Sequence, residues 1–122
     1  MQILIYRYSP GVYGLEWRGN TDRQDLRLAK EELWRLASLS GDTQIILLVD
    51  FSQVNNLPFD PRDFRHIIGS DNRVQMHVLI NAPIRAQLLA NEIQRVGHHE
   101  IRFVDSLASG IKMAQGLMIT TL

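Results

Sequence analysis

The first eighteen positions open on the apolar run Ile3-Leu4-Ile5-Tyr6, interrupted by Arg7, and end in a stretch of alternating residues. Residues 2–8 and 12–18 are rich in β-formers, and Ser9-Pro10-Gly11 lies between them. Proline there supplies a fixed φ and glycine a permissive one, so the segment is predicted to be a hairpin. In its second arm Tyr13, Leu15 and Trp17 alternate with Gly14, Glu16 and Arg18, which turns one apolar face to a core. The period then lengthens. Leu26, Ala29, Leu33 and Leu36 recur on one side of a helix that runs to about Leu39. Thr21 and Gln24 have capping-box spacing at its start, and Ser40-Gly41-Asp42 ends it, glycine suiting the left-handed position past a helix. Glu31 and Glu32 fall on its solvated side, with Arg27 and Arg35 in reach as i, i+4 partners.

Thr43–Asp50 carries five consecutive apolar residues, the signature of a central strand covered on both faces. A loop from Phe51 to Phe59 leads to Asp60-Pro61, an N-cap followed by proline at the first helical position, and a short helix through about Ile68. Val74, Met76, Val78 and Ile80 then alternate with Gln75, His77 and Leu79 in a further strand. Asn81 precedes a helix lined by Ala86, Leu89, Ile93 and Val96 and stopped at Gly97, and is expected to cap it. A short strand spans Glu100–Val104, and Asp105-Ser106 caps a last helix striped by Leu107, Ile111, Ala114 and Met118. The predicted order is β-β-α-β-α-β-α-β-α. It describes an α/β fold with a five-stranded mixed sheet, an N-terminal hairpin followed by parallel strands, and four helices. The polar residues Gln75, His77 and Arg102 suggest that one face of this sheet is partly open, lining a cavity or a partner surface.

At 122 residues the chain is expected to form one domain over positions 1–122. Its thirteen basic and thirteen acidic residues cancel, so no global charge surplus exists to drive non-specific nucleic-acid binding. Arg62, Arg65 and Arg73 form a local basic group, but Asp60, Asp63 and Asp71 interleave with them. With no cysteine, disulfides, thiolate catalysis and Cys-ligated metals are excluded together. The longest apolar run, Ile45–Val49, is far shorter than the roughly 20 residues that span a bilayer, and no signal segment is recognisable. A cytoplasmic location is the expectation.

No constellation of catalytic residues survives inspection. The strand-to-helix connections lack the Gly-rich turn of dinucleotide sites, and neither a Walker Gly-Lys-Ser nor a Gly-x-Ser-x-Gly elbow occurs. Asp50 and Ser52 can be assembled with a distant histidine into a triad on paper, but bonding of the adjacent backbone is the simpler role for both. His98 and His99 are adjacent, and neighbouring residues entering a strand point to opposite faces, which is the wrong spacing for a metal. His66 and His77 stand alone. No catalytic residue, metal or cofactor is therefore assigned. Tyr6, Tyr8, Trp17 and Trp34 read as core or rim packing.

The element order, the run Ile45-Ile46-Leu47-Leu48-Val49-Asp50-Phe51-Ser52-Gln53-Val54, Leu57-Pro58 and the step Val104-Asp105-Ser106-Leu107-Ala108 together resemble the STAS superfamily. More narrowly, the chain is similar to small bacterial SpoIIAA-like proteins of the STAS/SEC14 type. The resemblance covers nearly the whole chain and rests mostly on hydrophobic patterns. It implies a non-enzymatic interaction or regulatory module. In the anti-sigma-factor antagonists of that superfamily, a phosphorylatable Ser or Thr lies some eight residues beyond the strand-terminal Asp. The corresponding stretch here, Pro58-Phe59-Asp60-Pro61, has no hydroxyl, and Asp60 supplies a fixed negative charge instead. The implied partner surface is Ser52, Asn55, Asn56, Phe59, Asp60 and Arg65, with Phe64 filling the core below. It would dock a protein partner constitutively. A solid core with a self-complementary patch would suit a homodimer. A second reading, from the SEC14-like side of the resemblance, is a carrier of a small apolar or lipid-like ligand.

Overall fold

Tyr13, Leu15 and Trp17 leave solvent together, because every second residue of a strand shares a face and this face meets a helix. The computed structural model describes residues 3–56, 72–97 and 100–121. Strands β1 (Ile3–Ser9) and β2 (Val12–Asn20) form the opening hairpin and are followed by α1 (Arg23–Ser40) and β3 (Ile45–Asn56). Beyond these come β4 (Val74–Ile80), α2 (Ile84–Gly97), β5 (Ile101–Val104) and α3 (Leu107–Thr121). The sheet order is β1-β2-β3-β4-β5, with β1 antiparallel to β2 and every other pair parallel. The α/β class and the five-stranded mixed sheet agree with expectation. The short helix expected at about 60–68 lies outside the described residues, which contain three helices.

Two apolar layers cover the sheet. On one face Tyr13, Leu15, Trp17, Ile45, Leu47, Val49, Phe51 and Leu79 pack beneath α1, through Leu26, Ala29 and Leu33, and beneath α2, through Ala86 and Ala90. On the other, Val12, Ile46, Leu48, Val78 and Ile80 meet Ala114 and the partly buried Leu107, Ile111 and Leu117 of α3. At Gly110 this helix comes so near the sheet that a Cβ would lie 2.8 Å from Leu48 Cδ2. The five-residue apolar run of β3 is thus covered on both sides, as its composition requires.

Several local features differ from expectation. The strand after Ile45 does not end at Asp50. Pairing with β2 continues through Arg18↔Gln53, Gly19↔Val54 and Asn20↔Asn56. Phe51 is buried 5.9 Å from the Trp17 ring and Val54 packs on the same core, and a register shift between Glu16 and Arg18 lets residues three apart share that face where Ser52 and Gln53 suggest a loop. Helix α1 is capped one residue later than expected. Asp22 accepts from Asp25 N–H at 2.8 Å, and its own N–H donates to Asp25 Oδ2 at 3.1 Å, while Thr21 is buried. Gly41 closes the same helix at φ 77°. Arg35 pairs with Glu32 at i, i+3.

The polar residues expected on one open face are divided between two. His77, 4% exposed, stands opposite Leu47 and Ile101 on the face covered by α1 and α2. Arg102 stands opposite Val78, on the α3 face, and pairs with Glu100. The alternation of β4 and β5 separates them, and of the three His77 is buried while Gln75 and Arg102 are exposed.

Candidate functional site

The apolar run of β3 ends in a carboxylate. Asp50 lies opposite Glu16 of β2 and Ile80 of β4, on the α3 face of the sheet and toward the carboxyl ends of the parallel strands. Such ends are where open α/β sheets place their ligands and partners. Asp50 is only 7% exposed, and its Oδ1 accepts from Ser52 N–H at 2.9 Å and from Ser52 Oγ at 2.5 Å. Asn81, leaving β4, donates from Nδ2 to Ser52 Oγ at 2.7 Å. It does so from the left-handed region, φ 52°, which Asn visits more readily than other side chains. The residue expected to cap α2 therefore ties β4 to β3 instead.

A second polar group adjoins the first. Tyr6 Oη donates to Glu16 Oε2 at 3.0 Å, and Arg18 donates to the same oxygen at 3.1 Å. The Tyr6 and Tyr8 rings stack with centroids 5.8 Å apart. Tyr8 lies over Gly14, where a Cβ would come within 2.5 Å of its ring, so the absence of a side chain at position 14 makes room for it. Burial pushes the Tyr8 phenol up to about 12, with further contributions from the Asp50 and Glu16 charges. The Tyr6 phenol is also raised, first by its hydrogen bond to Glu16. The sheet face near β1 thus combines two carboxylates, two tyrosines and an arginine.

The hydroxyl of Ser52 is committed. It donates to Asp50 and accepts from Asn81, so both of its hydrogen-bonding directions are used in joining β3 to the residue after β4. His77 lies on the opposite face, so it does not complete a triad with Asp50 and Ser52. Asp50 instead fixes the backbone two residues on, the role expected of it. Among the described residues no three His, Asp or Glu side chains converge as metal ligands. His66, His98 and His99 lie outside the described residues.

Of the expected partner-surface residues, Ser52 is exposed at this site, and Asn55 and Asn56 close β3 with their side chains outside the described set. Phe59, Asp60 and Arg65 lie outside the described residues, as does Phe64. Tyr6, Tyr8, Glu16, Arg18 and Asn81 were not expected here. The signal available for Glu16 and Arg18 is the mixed face of β2, on which they and Gly14 alternate with the core residues.

An open cleft of about 540 Å³ lies elsewhere, at the end of β5, lined by Gln87, Phe103, Val104, Asp105 and Ser109. No helix among the described residues is long and apolar enough to cross a membrane. Comparison with protein-family models finds no match to this chain, and comparison with curated proteins finds none.

Proposed function

We propose that the chain is a non-enzymatic protein-interaction module of the STAS, SpoIIAA-like type, whose partner surface begins at Ser52 and continues through the 52–60 segment and Arg65. The observation that carries this reading is the chain of hydrogen bonds from Asp50 through Ser52 to Asn81. It uses the site's hydroxyl to fix the geometry of the strand exit, which serves recognition. The adjoining Tyr6, Tyr8 and Arg18 are residue types enriched at protein interfaces. A Cys-free chain suits a reducing compartment such as the cytoplasm. Docking is constitutive on this reading, because Asp60 occupies the stretch where a phosphorylatable hydroxyl would otherwise be expected.

The carrier reading has less support. Both sheet faces are filled by the chain's own side chains, Trp17 and Leu33 on one and Leu48 and Ala114 on the other, and the cleft at β5 is open to solvent. Native mass spectrometry of the protein purified from its own host tests the choice. The interaction module predicts a stoichiometric protein complex that Ser52→Arg disrupts while the circular dichroism spectrum is unchanged. A retained small apolar molecule on an otherwise free chain would overturn it in favour of the carrier. Specific phosphate incorporation in the 52–61 segment would overturn constitutive docking.

A further inference from the structure

We infer that β1 is a self-pairing edge, through which two copies of this chain join antiparallel into one continuous sheet. Among the described residues the strand order leaves β1 and β5 at the two edges. An edge strand presents unpaired backbone N–H and C=O groups, and proteins that must stay apart protect such edges with short strands and charged side chains. β5 has both protections: it is four residues long and carries the exposed Arg102, paired with Glu100. β1 has neither. It is seven residues long, reads Ile-Leu-Ile-Tyr-Arg-Tyr-Ser, and its register with β2 is unbroken from Ile3 to Arg7.

The occupant that fits this edge is a second β1. A twofold axis at Ile5, the centre of the regular stretch, would place Ile5 opposite Ile5, Leu4 opposite Tyr6 and Ile3 opposite Arg7 of the second copy. Leu4 and Tyr6 form an aliphatic-aromatic cross-strand pair, the kind that stabilises antiparallel ladders. It would cover Tyr6, one of the exposed large side chains at 37%. The charges are also compatible. Arg7, the strand's one charged residue, donates to Asp42 Oδ2 of its own copy at 3.1 Å, so each copy brings its own counter-ion. The two Arg7 residues would stand at opposite ends of the ribbon, roughly 14 Å apart at about 3.4 Å per residue, which exceeds the Debye length at physiological salt. Self-association through β1 is independent of the partner surface at 52–60, and either can fail without the other.

Light scattering on the purified chain across the micromolar range, combined with cysteine cross-linking, tests it. Because the chain has no cysteine, Ile5→Cys introduces a single thiol that would face its own copy across the twofold axis. Opposed Cα atoms in an antiparallel pair are about 4.5–5.5 Å apart, within disulfide range. The expected result is a dimeric mass for the native chain, oxidative cross-linking at Ile5→Cys but not at Phe103→Cys, and half the mass for Tyr6→Lys with the fold retained. Should Ile5→Cys fail to fold, the mass of Tyr6→Lys decides alone. A monomeric native chain overturns the proposal, as does a dimer that Tyr6→Lys leaves intact or that cross-links at position 103 and not at position 5.

Discussion

Tyr13 Oη donates a 2.5 Å hydrogen bond to Asp42 Oδ2, joining the start of β2 to the connection between α1 and β3. Arg7 Nε reaches both residues, at 3.1 Å from Asp42 and 3.2 Å from Tyr13, which brings β1 into the same network. The Tyr13 ring is fully buried, so removing only its hydroxyl leaves the core filled. Tyr13→Phe is expected to cost about 1.5–3 kcal/mol, the range for a hydrogen bond to a charged group. In urea the midpoint should fall with the slope unchanged. An unmoved midpoint would show that Arg7 alone satisfies Asp42.

The same contact sets an acid limb of stability. Burial alone would raise the Asp42 carboxyl, but hydrogen bonds from Tyr13, Arg7 and the Gly11 backbone outweigh it, and the group is held below its ordinary 3.8. In the unfolded chain Asp42 takes up a proton at that ordinary value while the folded protein still resists. The contribution is therefore fully present above about pH 4 and is lost as pH falls toward the folded value. Denaturation measured from about pH 6 to about pH 3 should show stability declining more steeply for the native chain than for Asp42→Asn. Parallel curves would remove Asp42 from the account.

The fold was legible where periodicity is strong. The apolar run at 45–49, the helical stripes at Leu26–Leu33 and Ile111–Ala114, and the Gly41 stop each determine an element by burial or by one backbone conformation. The end of β3 was not legible, because Ser52 and Gln53 are polar yet are held in a strand by their neighbours Phe51 and Val54 and by the length of β2. Helix capping was missed by one residue, since Thr21 and Asp22 are both good caps and only burial of Thr21 decides between them. For the site, Asp50 and Ser52 could be read from their spacing. Glu16 shows only as part of the mixed face of β2, and Tyr6 and Asn81 could not be read at all, because they reach the site through cross-strand register, which no local pattern encodes.

Tyr8 should be the last of the three tyrosines to ionise, at about 12, because its phenol is buried and faces the Asp50 and Glu16 charges. Above the ordinary value of 10.0 the unfolded chain ionises Tyr8 while the folded protein keeps it neutral. Stability from this residue is therefore lost as pH rises from 10 through 12. Gly14→Ala puts a methyl where the Tyr8 ring lies, so the ring must swing outward into water. Phenolate absorbance during alkaline titration should show one transition moving down toward 10 in Gly14→Ala. A transition that stays near 12 would mean that the backbone, not the ring, gives way.

Asn81 combines two effects that substitution separates. Its side chain donates to Ser52 Oγ, and its backbone sits at φ 52°, where a Cβ meets the following carbonyl. Asn81→Gly removes the hydrogen bond and relieves the backbone. Asn81→Ala removes the same bond and retains the strain without the local polar contacts that let Asn adopt this region. The bond lies in a solvent-exposed setting, so its loss is worth about 1 kcal/mol at most. Left-handed backbone at a residue with a Cβ costs about 1–2 kcal/mol, so Asn81→Ala should be less stable than Asn81→Gly by that margin in urea denaturation. Because Ser52 begins the proposed partner surface, both variants remove the same donor to its hydroxyl and should weaken partner binding to the same extent despite their different stabilities. If binding instead followed stability, position 81 would act through the fold rather than through Ser52.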